Sequence, residues 1–227
     1  MKKLIAFALA VFCLAAVSVA SADNGKRVGP FAGAIHADIA VLFVDGSTKD
    51  YALDRGKVTA ADDSSLTLQR PDGQSFTFSL SSDTWYPHGQ PKVDDKLGVL
   101  SYNGAALRVN VWRKGNGEDL NAQAQDRVHA FAKAVHGDIT LLMKDGTSKS
   151  ETADRGRVSA LDANAGTMTI DRPDKQSVSF SVSSDTIVRH RGEEKSLSDI
   201  SIGDHVLVFA SSGQALFIRD AGQKKQA

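Results

Sequence analysis

AIHADIAVLFVDG at residues 34–46 and AVHGDITLLMKDG at residues 134–146 are two copies of one strand-and-turn phrase, and they decide the class of fold. In Ile35, Ala37, Ile39, Val41 and Phe43, as in Val135, Gly137, Ile139, Leu141 and Met143, the odd positions hold most of the apolar side chains. His36 and Asp38, like His136 and Asp138, fall on the opposite face, which is the two-residue period of a strand with one wet side. Asp45-Gly46 and Asp145-Gly146 follow, and glycine after aspartate suits the positive φ of a tight reversal.

The duplication extends well beyond this phrase. Arg27–Ala60 returns as Arg127–Ala160 at an offset of 100, with 17 of 34 positions identical, and Leu66–Thr84 returns as Met168–Thr186 at an offset of 102. The change of offset puts a two-residue insertion in the turn Ala61–Ser65, which becomes Leu161–Thr167, and turns tolerate insertions where strands do not. Further strands are expected at Val58–Ala60, Leu66–Arg70 and Phe76–Leu80. Leu97–Ser101 with Leu107–Val111, and Val206–Ala210 with Leu216–Ile218, bring each copy to six or seven. Arg70-Pro71-Asp72-Gly73 reads as a type I turn closed by a bulge residue. Arg172-Pro173-Asp174-Lys175 lacks the glycine, so its bulge is expected to be costlier or differently shaped.

These elements predict an all-β protein of two tandem small β-barrel or sandwich units, at 27–113 and 127–220, joined by a linker at 114–126 and followed by a disordered tail at 221–227. A closed barrel is favoured because it removes the sheet edges that would otherwise template aggregation. Ahead of the repeats, Lys2 and Lys3 precede the apolar run Leu4–Val17 and the small residues Ser18-Val19-Ala20-Ser21-Ala22. That is the pattern of a signal peptide over 1–22, so the chain is expected to be exported, to the periplasm or the extracellular medium. No later segment approaches the roughly 20 apolar residues that a membrane span needs. The sole cysteine, Cys13, lies inside the leader, which leaves the exported chain without a disulfide, a thiol nucleophile or a thiolate metal site. Removing Lys2 and Lys3 from 27 basic against 27 acidic residues leaves 25 against 27, a charge of −2. Such a balance offers no strong basic field for nucleic acid or an anionic membrane.

The later strands carry a resemblance. Gly56-Lys57-Val58-Thr59-Ala60, Ser65-Leu66-Thr67-Leu68 and Ser82-Asp83-Thr84 resemble a large family of uncharacterised small β-barrel modules in exported bacterial proteins. The second copy presents Gly156-Arg157-Val158-Ser159-Ala160, Met168-Thr169-Ile170 and Ser184-Asp185-Thr186, and adds Ile202-Gly203-Asp204-His205-Val206-Leu207-Val208. The first copy departs at Val93-Asp94-Asp95, where the turn glycine is absent. The resemblance implies a small β-barrel in an exported protein and supplies no catalytic residue.

Chemistry is sought in polar residues present twice. His36, Asp38, Asp45, Asp54 and Arg55 match His136, Asp138, Asp145, Asp154 and Arg155, and His88 matches His190. His36 with Asp38, and His136 with Asp138, lie two apart on one strand face, near enough to share a divalent metal ion if Asp54 or His88 closes over them. The competing expectation makes them solvated-face residues, with Asp54 and Arg55 paired to each other or to loop backbone. No Gly-x-Ser-x-Gly elbow accompanies the histidines, and Ser79, Ser81, Ser181 and Ser183 sit on the wet side of alternating runs, so no enzyme is expected. No cofactor is called for other than that metal.

The asymmetry between the copies points to binding. Every Tyr and Trp belongs to the first copy or its exit: Tyr51, Trp85, Tyr86, Tyr102 and Trp112. If Phe76, Phe78 and Leu80 face the core, Tyr86 continues that face and Trp85 points outward, ready to stack on a sugar or anchor a protein. The expected function is a non-catalytic exported module that binds an envelope or extracellular component, protein or polysaccharide, through Trp85, Tyr86, Tyr102 and Trp112. A structural spacer and a metal-binding protein are the alternatives.

Overall fold

The computed structural model describes residues 34–112, 134–190 and 193–223. The leader at 1–22, the linker at 114–126 and the tail from 224 onward lie outside the described residues. The protein is all-β. Strand β1 (Ala34–Leu42) turns at Asp45-Gly46, where Gly46 has φ +82° and Asp45 Oδ1 accepts from the Ser47 amide at 2.9 Å. Strand β2 (Thr48–Ala61) is one run of 14 residues, much longer than the expected Val58–Ala60. Its length follows from serving two partners along one edge, since Thr48–Asp54 pairs with β1 and Lys57–Ala61 with β3 (Ser65–Gln69).

Strands β4 (Ser75–Ser79), β5 (Lys96–Tyr102) and β6 (Ala105–Val111) complete a closed five-stranded barrel by the pairings β2–β3, β3–β4, β4–β6, β6–β5 and β5–β2. The β4–β6 join is parallel and rests on one register pair, Ser79 with Ala105, supported by the Ser79 amide donating to Gly104 O at 3.0 Å. Inside lie Val58, Leu66, Leu68, Phe78, Leu97, Val99 and Val109, with Phe76, Leu80 and Tyr86 packed against them.

The second half repeats the circuit. Strands β7 (Ala134–Leu142), β8 (Ser148–Asp162), β9 (Thr167–Asp171) and β10 (Ser177–Ser181) precede two short additions, β11 (Ile187–His190) and β12 (Glu193–Lys195). A 3-10 turn at Leu197–Asp199 then leads to β13 (His205–Ser211) and β14 (Gln214–Asp220), and pairing runs β8–β9–β10–β14–β13–β8. β11 lies parallel to β14. The first repeat keeps only a trace of it, a single bridge between Trp85 and Arg108.

Two turns show how the copies reach one shape by different residues. Lys175 takes the left-handed position of Gly73, with φ +68° against +86°, and both amides donate to the equivalent arginine carbonyl at 3.0 Å. The bulge therefore has the same form, and its cost is a side chain at positive φ. Likewise Asp94, at φ +74°, stands where the second copy has Gly203, at φ +97°. The missing glycine does not remove that turn, because aspartate is among the few residues that tolerate this conformation.

The halves join as one sheet. β1 pairs antiparallel with β7 about a pseudo-twofold centre at which Asp38 faces Asp138. On the apolar side of this seam, Ala34, Ala37, Ile39, Ile139 and Leu141 form a shared core with Ala153, Phe209 and Phe217 of the second repeat, flanked by Tyr51, Leu53, Ile187 and Leu207.

Candidate functional site

The repeated polar residues meet where β2 changes partner. Asp54 is the last β2 residue paired to β1, opposite His36, and the β3 pairing begins at Lys57. Gly56 lies in the gap, where a Cβ would stand 2.1 Å from Gln69 O, so only glycine lets the end of β3 approach. That approach delivers Arg70, the residue after β3, to Asp54.

Asp54 is 2% exposed and Arg70 6%. His36 Nδ1 lies 2.8 Å from Asp54 Oδ1, and Arg70 Nη1 donates to the same oxygen at 3.2 Å. Arg70 Nη2 also donates to Asp72 Oδ2 at 2.7 Å and Gln74 Oε1 at 2.9 Å, and the guanidinium stacks 4.6 Å from the Phe76 ring. His36 Nε2 faces Asp38 Oδ2 at 3.1 Å. The second repeat reproduces the set: His136 Nδ1 to Asp154 at 2.8 Å, Nε2 to Asp138 at 3.2 Å, and Arg172 Nη1 to Asp154 at 2.8 Å. Arg172 binds Asp174 through Nε and Nη2.

The hydrogen bond to Asp54 raises the His36 pKa above its ordinary value against the opposing effect of burial, and Asp38 adds to the rise. Asp154 raises His136 in the same way. When protonated, histidine donates from both ring nitrogens, and each repeat then holds a chain of alternating charge running from a half-buried imidazolium through a buried carboxylate to a guanidinium, buried for Arg70 and partly buried for Arg172.

This geometry corrects one expectation and narrows another. Asp54 pairs with His36 and Arg70, and Arg55 instead lies 5.7 Å from the Trp112 ring. For a metal, both ring nitrogens of His36 and of His136 already face carboxylates, and among the described residues no group of three or more His, Cys, Asp or Glu side chains is placed to hold an ion. His88 is exposed in a turn and is not part of the network. Its counterpart His190 binds Asp220 at 2.7 Å, a partner the first repeat replaces with Val111. From the sequence, Arg70 and Arg172 read only as turn residues. Their recurrence as Arg-Pro-Asp in both copies was the available signal.

The aromatic candidates divide by face. Tyr86 packs against the first barrel's core, whereas Trp85 is 57% exposed with the Arg108 guanidinium 4.4 Å from its ring. Tyr102 lies 5.4 Å from Tyr51, with Lys49 over its ring at 5.5 Å. Trp112 fits over Gly98, where an added Cβ would sit 3.4 Å from the indole. In register, Leu53, Leu100 and Arg108 lead across the outer face to Trp85, with Tyr51 and Tyr102 on one side and Arg55 and Trp112 on the other. Three of the four aromatic candidates thus share the outside of the first barrel, and the fourth, Tyr86, is partly buried against its core.

Comparison with known proteins bears on this class of fold. Residues 155–214 match the model of a family described as a domain of unknown function, DUF5666. The matched segment runs from the middle of β8 to the start of β14, so it covers most of the second circuit and leaves out His136, Asp138 and Asp154. An uncharacterised small β module, expected from the resemblance, is what this match shows. No curated protein and no solved structure matches. No helix among the described residues is long and apolar enough to cross a membrane.

Proposed function

We propose that the protein is a non-catalytic, exported pair of tandem β-barrel modules whose first unit binds an envelope or extracellular component, protein or polysaccharide, through its outer aromatic face. One observation carries the proposal: Trp85 is 57% exposed with the Arg108 guanidinium 4.4 Å from its ring, while the residues at the same two sheet positions in the second repeat, Ile187 and Phe217, pack into the shared core. An exposed indole held rigid by a cation is a large contact area presented at low entropic cost, suited to stacking on a sugar ring or entering a partner's pocket. The His-Asp-Arg chains support this face by fixing β2 where it enters the barrel.

The test is co-sedimentation of the purified chain with insoluble envelope material, before and after protease treatment of that material. Wild type is expected in the pellet and the Trp85→Ala, Trp112→Ala variant in the supernatant, with both melting at similar temperatures. Retention after protease treatment assigns the ligand to polysaccharide, and loss assigns it to protein. Equal partitioning of wild type and variant rejects the aromatic face and leaves a spacer as the surviving reading.

A further inference from the structure

The outer face of the second repeat carries a row of arginines that neither core needs. Arg155 on β8 stands opposite Leu207 on β13, Leu207 opposite Arg219 on β14, and Arg219 opposite Arg189 on β11. The neighbours Val188, Val208 and Ile218 belong to the barrel core, so by strand alternation the arginines project outward. One register step away on the same face, Ala153, Phe209, Phe217 and Ile187 form the apolar row that is covered in the shared core. The basic row lies along the border of that covered surface.

Arg189 and Arg219 are direct neighbours on adjacent strands, about 4.8 Å apart at the backbone, and both are half-buried. Arg189 Nε and Arg219 Nη1 are sealed from solvent without a hydrogen-bond partner. Glu194, opposite Arg189 on β12, is exposed, and among the described residues the ion pair of β12 joins Lys195 to Glu193. Burial pushes the guanidinium of Arg155 below the ordinary arginine range, with Arg219 adding like-charge repulsion, and burial pushes Arg219 down as well. Two half-buried cations such as Arg189 and Arg219, set side by side, are unfavourable unless an anion completes them. The first repeat has Arg55 and Asn110 at the positions of Arg155 and Arg219, and its arginine is covered by Trp112, so the row is particular to the second unit.

We infer that Arg189 and Arg219, with Arg155 beside them, form a binding site for a tetrahedral oxyanion of the phosphate class. Guanidinium groups on adjacent strands can each donate a pair of N–H groups to different oxygens of one such anion, a geometry that a lysine ammonium does not reproduce. A doubly charged phosphate also neutralises more of the row than a carboxylate does.

The experiment is thermal unfolding and calorimetric titration of the full exported chain with inorganic phosphate against chloride at equal ionic strength, for wild type and the Arg189→Gln, Arg219→Gln variant. Phosphate is expected to raise the wild-type melting temperature in a saturable manner. The variant should fold with an equal or higher melting temperature in chloride, since it removes uncompensated charge, and should bind phosphate at least about tenfold more weakly. A variant with Arg157→Gln, an exposed arginine whose Nε donates to Gly203 O, controls for net charge and should bind as wild type does. Two further probes locate the source of the anion. Binding of glucose 1-phosphate without binding of phosphatidic acid vesicles places it on a sugar, and the reverse places it on a lipid. No saturable phosphate effect, or an effect that survives in the double variant, overturns the site.

Discussion

The outer faces of the two repeats occupy the same sheet positions and meet opposite fates. In the second repeat Phe209, Phe217 and Ile187 are drawn into a core shared with β1 and β7. In the first the corresponding positions hold Leu100, Arg108 and Trp85, and the indole stays exposed. A duplicated module has two such faces, and at these three positions only the second repeat's is apolar throughout and contributes its β11, β13 and β14 residues to the seam. The other has acquired aromatics and cations that a buried face would not tolerate. The difference between the copies, more than their likeness, is therefore the guide to function.

The largest expected effects test whether the shared parts are equally essential. Asp54→Asn removes the buried carboxylate that His36 and Arg70 share, leaving Arg70 only its pair with Asp72, and should destabilise by about 3 kcal/mol. Asp154→Asn should cost less, because the Arg172 side chain is 11% exposed against 6% for Arg70 and lacks the Phe76 ring beneath it. Chemical denaturation of the two single variants measures this, and a larger loss in Asp154→Asn would contradict the ranking. Phe217→Ala should cost about 3–5 kcal/mol through the cavity it opens between the repeats, whereas Trp85→Ala should stay within about 1 kcal/mol. Equal losses would mean that the two outer faces are not differently used.

The close approaches at the partner switch come next. A Cβ on Gly56 would meet Gln69 O at 2.1 Å, and one on Gly156 would meet Asp171 O at 2.7 Å. Gly56→Val should therefore lower the melting temperature more than Gly156→Val, both by at least the roughly 1–3 kcal/mol of overpacking, and both more than Ser79→Ala or Ser181→Ala at exposed positions. Neither glycine has positive φ, so contact with backbone sets the cost.

The sequence made part of this legible for definite reasons. Strand alternation placed His36 beside Asp38 and separated Trp85 from Tyr86, because side-chain direction along a strand is a local property. The constant offset revealed equivalent turns. Long-range choices were hidden: β2 was recognised only at Val58–Ala60 because Asp54-Arg55-Gly56 interrupts its apolar pattern. Arg70 was seen as a turn residue because its partner lies 16 residues back across a strand crossing. The β1–β7 seam was invisible because a strand edge carries its pairing in backbone groups. In turns, composition misled where a side chain tolerates an unusual backbone, as Asp94 and Lys175 do.

The turn at Lys175 gives a smaller effect of opposite sign. Lys175→Gly should raise stability by about 0.5–1 kcal/mol, the relief of a left-handed residue less the entropy that glycine adds to the unfolded chain. Gly73→Lys should lower it by a similar amount, and unchanged melting in both would show that the bulge relaxes to another form.

The smallest predicted effect concerns the seam itself. Asp38 faces Asp138 directly across β1 and β7, an opposition of like charge that is destabilising in an antiparallel pair. His36 and His136 offset it by donating to those carboxylates when protonated. Both histidines have pKa values raised in the folded state, so their contribution is fully present below the unfolded value of about 6.5 and is lost as pH rises through the folded values. Melting temperature should thus fall modestly between mildly acidic and mildly alkaline pH, and His36→Gln with His136→Gln should flatten that slope. Asp38→Asn with Asp138→Asn should reduce the slope less, because the larger cause of each shift, the buried Asp54 or Asp154, remains. A slope that persists in the histidine variant would assign the pH response to groups other than His36 and His136.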